Sequence, residues 1–169
     1  MSELKRLRRQ KDEFFAHDSH SPLSAEQKRT FPGLRYFPEN SQLRFQDEVK
    51  RSTAEQVVHM QTNTGELREY HKYGTFGFLV NGDSAELCVY TSGDRGFFVP
   101  FADATSGQET YGAGRYVEVH SLGGERFEVD FNQAYNPWCA YSPNFSCPIS
   151  PAENRLTIPI RAGEQSFGA

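Results

Sequence analysis

Two glycine-containing turns limit what this chain can fold into, because each lies between two extended segments. Asn81-Gly82 separates residues 75–80 from residues 85–90, and an asparagine–glycine pair is a strong hairpin signal. Gly123-Gly124 separates residues 115–120 from residues 126–131 in the same way. Successive hairpins without long helical crossovers predict antiparallel pairing.

Further extended segments surround these hairpins, and valine, tyrosine, phenylalanine and threonine dominate the middle of the chain. The alternation of Phe127, Val129 and Phe131 with polar residues is typical of a strand with one buried face. We therefore predict a mainly β fold, an antiparallel barrel or sandwich. The other predicted extended segments are 34–37, 43–45, 56–61, 67–73, 97–101 (an edge or strand end, because of Pro100) and 156–160.

The N-terminal part of the chain has helical rather than extended periodicity. Ser2 can cap a helix over residues 3–16, and Ser24 begins a capping box that opens a second helix to about residue 29. We expect one domain over residues 1–169, with a helical segment (1–30) packed on a β body (34–169). The basic residues of the first helix could contact an acidic partner or nucleic acid, but a solvated face of an amphipathic helix is the favoured interpretation.

Composition excludes several classes of partner. The chain has 169 residues and a net charge of -4, which argues against a nucleic-acid-binding surface. No apolar run reaches the length of a membrane span, and no hydrophobic leader is visible, so we predict a cytoplasmic protein with no membrane partner. The three cysteines are then expected to be thiols. The pattern names neither a cofactor nor an oligomeric state.

The first candidate functional stretch covers residues 101–116 and is rich in glycine. Glycines let the backbone approach a ligand, and Arg115 offers a fork that fits phosphate or carboxylate. Asp103 could orient that arginine, coordinate a metal or accept a proton. The stretch is neither a Walker loop nor a dinucleotide fingerprint. The alternative is a turn-rich connection with a structural Asp–Arg pair.

The second candidate stretch covers residues 130–141. Asp130 and Asn132 project opposite to Phe131 if the strand persists, and would line a wet face where polar groups select a ligand. The alternative is that these side chains bind nearby backbone and stabilise an irregular loop.

Cysteines and histidines give little support to a metal site. Cys139 and Cys147 are too far apart in sequence for a zinc knuckle, and no histidine pair has metal-ligand spacing. A nucleophilic Cys139 would need a base that the sequence does not identify. We therefore predict no metal ligands.

Three motifs together resemble one family. FADATSG with TYGAGRY, DFNQAYNPWCAYSP and CPISPAENRLTIPIRAGE are similar to the bacterial and archaeal family catalogued as domain of unknown function sixteen eighty-four. The N-terminal KDEFF, SPLS and FPGLRYFP fit the same pattern. The resemblance brings no established activity, cofactor or catalytic residue, but it implies a shared surface. The matching positions are Asp103, Thr105, Tyr111, Arg115, Asp130, Asn132, Tyr135, Asn136, Cys139, Glu153, Asn154 and Arg155.

The preferred functional hypothesis is a small-ligand-binding β domain, with hydrolysis of an anionic small molecule as its enzymatic form. Arg115 would hold the anion, and Asp130 or Asp103 would act as the general base. The alternative is a non-enzymatic interaction or structural protein, in which residues 136–154 dock a partner and the polar residues only brace the fold. The remaining predicted substrate-binding residues are Thr105, Tyr111, Asn132, Tyr135, Asn136, Cys139 and Asn154.

Overall fold

Six antiparallel strands close into a barrel in the part of the chain that the structure describes. The structure is a computed structural model, and it describes residues 1–92 and 96–168, without the side chain of Glu55. Each strand pairs with its neighbours in chain order, and the first also pairs with the last, which closes the barrel. The mainly β prediction is confirmed. The strands are β1 (Arg44–Gln61), β2 (Leu67–Val80), β3 (Asp83–Thr91), β4 (Phe97–Phe101), β5 (Arg115–Gly123) and β6 (Arg126–Asp130).

Both predicted hairpins are present. Asn81 and Gly82 have φ angles of 50° and 85°, which is the left-handed backbone that a tight hairpin turn needs. They place Val80 opposite Asp83 and set the register of β2 against β3. Gly123 and Gly124 do the same between β5 and β6.

The strand β2 is continuous, whereas the sequence suggested separate segments on either side of Gly74. A β carbon at Gly74 would lie 2.4 Å from the Lys50 carbonyl oxygen, so only glycine allows β1 to approach this closely. The pairing of β2 with β3 shifts by one residue at this point. The glycine therefore marks a bulge inside one strand and not a break between two.

Phenylalanine and valine side chains fill the barrel interior. Phe76, Phe101 and Phe131 are fully buried, and their rings belong to one network of edge and tilted contacts with centroid separations of 5.1–6.0 Å. Barrels with few strands have interiors only wide enough for side chains. A ligand is therefore expected on the outer surface of this barrel.

The two helices are α1 (Glu3–His17) and α2 (Ala25–Arg29), close to their predicted limits. The Ser2 hydroxyl accepts from the Lys5 N–H, and Ser24 and Gln27 form the predicted capping box. Phe15 of α1 is buried against the ring of Tyr141, with 4.9 Å between centroids, which attaches the helix to the segment after the barrel. Within the described ranges, no helix has both the length and the apolar character needed to cross a bilayer.

The segment after β6 wraps around the barrel with three short 3₁₀ helices but no strand among its described residues, and its Phe131, Ile160 and Ala162 pack into the barrel core. The predicted strand at residues 156–160 is wrong, because the backbone there bonds to loops and side chains and not to a sheet ladder. Arg155 makes one isolated parallel bridge with Ala102, and the Ile160 N–H donates to the Asp103 carboxylate at 2.6 Å. This wrapping segment extends from residue 131 to residue 168 and is held by the polar residues described below.

Candidate functional site

Arg115, the predicted anion holder, is buried and bound to the wrapping segment. Its side chain is 1% exposed at the start of β5. The guanidinium donates to the carbonyl oxygens of Ile160 at 2.8 Å, Ala162 at 2.5 Å and Glu164 at 3.1 Å. Burial lowers the pKa of Arg115 to about 10, opposed by Asp103 and Glu164, so the group stays charged at neutral pH.

Asp103 lies beside Arg115 and is enclosed with it. Its carboxylate is 3.7 Å from the guanidinium and accepts from the hydroxyl groups of Thr105 and Ser106. The Ile160 N–H, which belongs to the wrapping segment, also donates to the Asp103 carboxylate. Asp103, Thr105 and Arg115 are therefore brought together as the sequence suggested, in a buried network in which they bind each other and the backbone.

Asn154 holds the wrapping segment against β3 and β4. Its side-chain oxygen accepts from the Cys88 N–H at 2.7 Å, and its amide donates to the carbonyl oxygens of Cys88 at 3.0 Å and Pro100 at 2.8 Å. The residue is 0% exposed. The Asn154 side chain thus forms hydrogen bonds with backbone groups of β3 and β4 that a neighbouring strand would otherwise form.

Asn154→Asp tests this assignment, because aspartate has nearly the same shape as asparagine but carries an acceptor oxygen in place of the amide donor. Two buried carbonyl oxygens would then face a carboxylate without a hydrogen, which we expect to lower the free energy of unfolding by roughly 2–3 kcal/mol. Urea denaturation measures the loss. Asn144→Asp is the matched control on the exposed loop, and an equal loss in both variants would contradict a bracing role for Asn154.

Asp130 and Asn132 stabilise a short 3₁₀ turn at Phe131–Gln133. The Asp130 carboxylate accepts from the backbone and amide of Asn132 at 3.0 and 2.9 Å, and from the Gln133 amide at 3.3 Å. Asn132 forms a reciprocal pair of hydrogen bonds with the Asn40 backbone. The charged neighbours of Asp130 include Arg8 and Arg44, whereas those of Arg115 are Asp103 and Glu164.

Glu164 is a buried carboxylate that sequence reasoning did not select, although it ends the quoted motif CPISPAENRLTIPIRAGE. It is 1% exposed and accepts from the Asn136 N–H at 2.6 Å and the Tyr141 hydroxyl at 2.7 Å. Lys11 of α1 pairs with its other oxygen at 2.5 Å. Glu164 therefore connects α1, the loop at Asn136 and the wrapping segment. Burial and the nearby Glu164 charge raise the pKa of Tyr141.

A groove of 220 Å³ opens where α1 crosses the wrapping segment. Arg8 lies over the Tyr36 ring at 4.3 Å and donates to the carbonyl oxygens of Phe37 and Asn132. Lys11 lies 5.1 Å from the Tyr135 ring centroid. The groove includes two of the predicted binding residues, Asn132 and Tyr135. The α1–barrel groove is lined by Leu4, Leu7, Arg8, Lys11, Tyr36, Asn132, Gln133, Ala134, Tyr135 and Glu164.

Two residues that line the α1–barrel groove each carry a buried donor that is unused. The Nε of Arg8 and the hydroxyl of Tyr36 are buried and have no hydrogen-bond partner among the described residues. Burial raises the pKa of Tyr36, so its hydroxyl keeps its proton. Burial also lowers the pKa of Arg8, opposed by the charges around it. Sequence reasoning missed Arg8 and Lys11 because helical spacing alone does not show which basic residues face a neighbouring segment.

Tyr111 and Cys139 lie together outside the α1–barrel groove. The Tyr111 hydroxyl is 3.6 Å from the Cys139 sulfur, and the Tyr135 hydroxyl donates to Glu118 at 2.5 Å. Asn136 donates its amide to the Gln165 carbonyl at 3.0 Å. In the described part of the chain, no group of three or more His, Cys, Asp or Glu residues is arranged to hold a metal ion.

Comparisons with known proteins agree with the motifs. Residues 29–165 match the family model described as "Protein of unknown function (DUF1684)". The chain is also similar to a solution NMR structure of an uncharacterised protein of Haloarcula marismortui, with 34% sequence identity and a TM-score of 0.74. That similarity covers 98% of this chain and 94% of the archaeal one. Among curated proteins, none matches the chain.

Proposed function

The chain belongs to the family described as Protein of unknown function (DUF1684), whose description names no activity, and we propose from its geometry that it binds a small anionic molecule with an apolar part. The binding site is the α1–barrel groove. The observation that carries the proposal is one cavity in which the cationic side chains of Arg8 and Lys11 lie beside the apolar side chains of Leu4 and Leu7.

The donors favour a ligand head rich in hydrogen-bond acceptors. A lysine ammonium has three N–H donors, and the Glu164 carboxylate accounts for one of those on Lys11. The guanidinium of Arg8 adds a second positive charge to the lining of the groove. A carboxylate or phosphate provides acceptors for such groups and makes charge-assisted hydrogen bonds with them.

The size and the walls of the groove favour a small ligand with a hydrocarbon part. Leu4, Leu7 and Ala134 supply apolar walls beside the cationic groups. The cavity of 220 Å³ is below the roughly 300–1,000 Å³ of pockets for drug-sized ligands. Short-chain carboxylates combine an acceptor-rich head with an apolar tail of suitable size.

Binding without hydrolysis agrees best with the surroundings of the two aspartates. Asp103 is enclosed by Thr105, Ser106 and Ile160, and both oxygens of Asp130 accept from the 3₁₀ turn. A general base needs a free lone pair within reach of the proton that it removes from the reacting group. Catalysis by Asp103 or Asp130, and anion binding by Arg115, stay predictions from the sequence.

Titration of the full chain with hexanoate tests the proposal. We expect a Kd on the order of 0.1–1 mM for a ligand of this size, with phosphate and hexanol, which lack either the tail or the charge, binding more weakly. Isothermal titration calorimetry measures the affinities.

Lys11→Met and Arg9→Met form the matched pair for charge. Both remove one positive charge from α1, but Arg9 is exposed and does not line the groove. Hexanoate affinity should fall about tenfold in Lys11→Met and by less than about twofold in Arg9→Met. Equal losses in the two variants, or no binding of hexanoate to the wild type, would contradict the proposal.

A further inference from the structure

One stripe of side chains on α1 forms the helical wall of the α1–barrel groove. Leu4, Leu7 and Lys11 follow each other at spacings of three and four residues, which places them on the same face of a helix. All three line the groove and are half-buried. Their order along the helix gives the groove an apolar end at Leu4 and a cationic end at Lys11.

Contacts with the β body fix the cationic end of the groove in place. The Lys11 ammonium lies 2.5 Å from the Glu164 carboxylate and 5.1 Å from the centroid of the Tyr135 ring. Arg8, which precedes Lys11 by three residues, donates to the Asn132 carbonyl oxygen at 3.2 Å. A ligand head that binds to both cations therefore lies at this end of the groove.

The charges in the groove lining favour a ligand head with a single negative charge. Arg8 and Lys11 are cationic and Glu164 is a carboxylate, so the lining has a formal net charge of +1. A carboxylate head balances that charge, whereas a phosphate monoester carries about -1.5 to -2 near pH 7. The extra charge of a phosphate would lie close to Glu164 and be repelled by it. The groove therefore favours a monocarboxylate over an alkyl phosphate.

Helix geometry gives the length of the apolar wall. With a rise of about 1.5 Å per residue, Leu7 lies about 6 Å and Leu4 about 10 Å from Lys11 along the helix axis. With C–C bonds of about 1.5 Å, an extended chain of about eight carbons covers a similar distance. Met1, which precedes Leu4 by three residues, is 77% exposed, so it does not extend the wall to the same extent.

We propose that the α1–barrel groove binds unbranched monocarboxylates along α1, with the carboxylate at Lys11 and the hydrocarbon tail pointing toward Leu4. Leu4 is then the residue that sets the longest tail the groove can cover, at about eight carbons. This inference rests on the proposed function and adds a direction and a length limit to the ligand. Each added methylene strengthens binding until the tail reaches Leu4, and further methylenes extend into solvent.

Titration of the full chain with butanoate, hexanoate, octanoate and decanoate tests the length limit. We expect the Kd to fall about two- to fourfold per methylene up to octanoate, as burial of a methylene group predicts. From octanoate to decanoate the Kd should change by less than about twofold in total, because the added methylenes are not buried. Hexyl phosphate should bind more weakly than hexanoate. Chemical-shift titration by NMR measures each Kd, including the weak ones.

Variants of α1 separate the contact with the tail from the contact with the head. Leu4→Ala should reduce the ratio of octanoate to butanoate affinity about fivefold, because only the longer tail reaches Leu4. Lys11→Met should weaken both acids by a similar factor and leave that ratio unchanged. Gln10→Ala is the matched control, since Gln10 is exposed on the same helix and lies outside the groove lining, and it should leave the whole series unchanged.

The direction of the ligand is tested by intermolecular nuclear Overhauser effects on the octanoate complex. We expect the terminal methyl group of octanoate to show contacts with the Leu4 methyl groups. The methylene next to the carboxylate should show contacts with the ring protons of Tyr135, which lies beside Lys11. The opposite pattern would show that the tail points toward Lys11 and would overturn the proposed direction.

Failure of this inference is distinguishable from failure of the proposed function. If none of the four acids bound to the wild-type chain, the proposed function and this inference would both be wrong. Binding with the same Kd at every chain length, or the same octanoate-to-butanoate ratio in Leu4→Ala and Gln10→Ala, would overturn the inference alone. Far-UV circular dichroism of each variant shows whether it is folded, so that affinities are compared among folded chains only.

Discussion

Arg115→Met is expected to lower the free energy of unfolding by roughly 3–5 kcal/mol, as is typical when one partner of a buried ion pair is removed. The substitution leaves Asp103 buried without its cation and deprives the carbonyl oxygens of residues 160, 162 and 164 of their donor. Urea denaturation followed by circular dichroism measures the change. Arg115→Lys should recover less than half of the loss, because an ammonium cannot reproduce the fork.

Arg161→Met is the control for this prediction. Arg161 pairs with Glu109 at 3.1 Å on the surface, where its side chain is 58% exposed. Loss of such a surface pair should lower stability by less than about 1 kcal/mol. If Arg115→Met and Arg161→Met had similar effects, the buried network would not be what holds the wrapping segment on the barrel.

Gly163→Ala is expected to have the second large effect. Gly163 has a φ of 78°, and a β carbon there would lie 2.6 Å from the Ala134 carbonyl oxygen and 2.8 Å from that of Phe131. The left-handed backbone contributes about 1–2 kcal/mol and the steric overlap about 1–3 kcal/mol, so we expect a total loss of roughly 2–5 kcal/mol. Thermal and urea denaturation measure it.

Gly65→Ala isolates the backbone part of that effect. Gly65 has a φ of 89°, but a β carbon there would have no neighbour within 4 Å. Its substitution should therefore lower stability by only about 1–2 kcal/mol. A Gly163→Ala variant no less stable than Gly65→Ala would show that the wrapping segment moves away from Ala134 without penalty.

Local sequence patterns predicted the barrel hairpins and the helix caps because their causes are local. The φ angles required at Asn81 and Gly82 are properties of those residues, and the Ser24–Gln27 box closes within one turn. The barrel closes when β1 pairs with β6, a contact between residues more than 75 positions apart. The sequence therefore favoured antiparallel strands but left the choice between barrel and sandwich open.

Polar motifs showed where the chain is unusual but not what its polar groups contact. By itself, the sequence determined the hairpins, the caps and the segments that contain Arg115, Asn132 and Cys139, because these depend on residue type and near neighbours. Only the tertiary structure decided that Arg115 is enclosed by backbone carbonyls and that Arg8 and Tyr36 share a groove. The physical reason is that burial and charge pairing depend on segments brought together from distant parts of the chain, as when α1 packs on residues after the barrel.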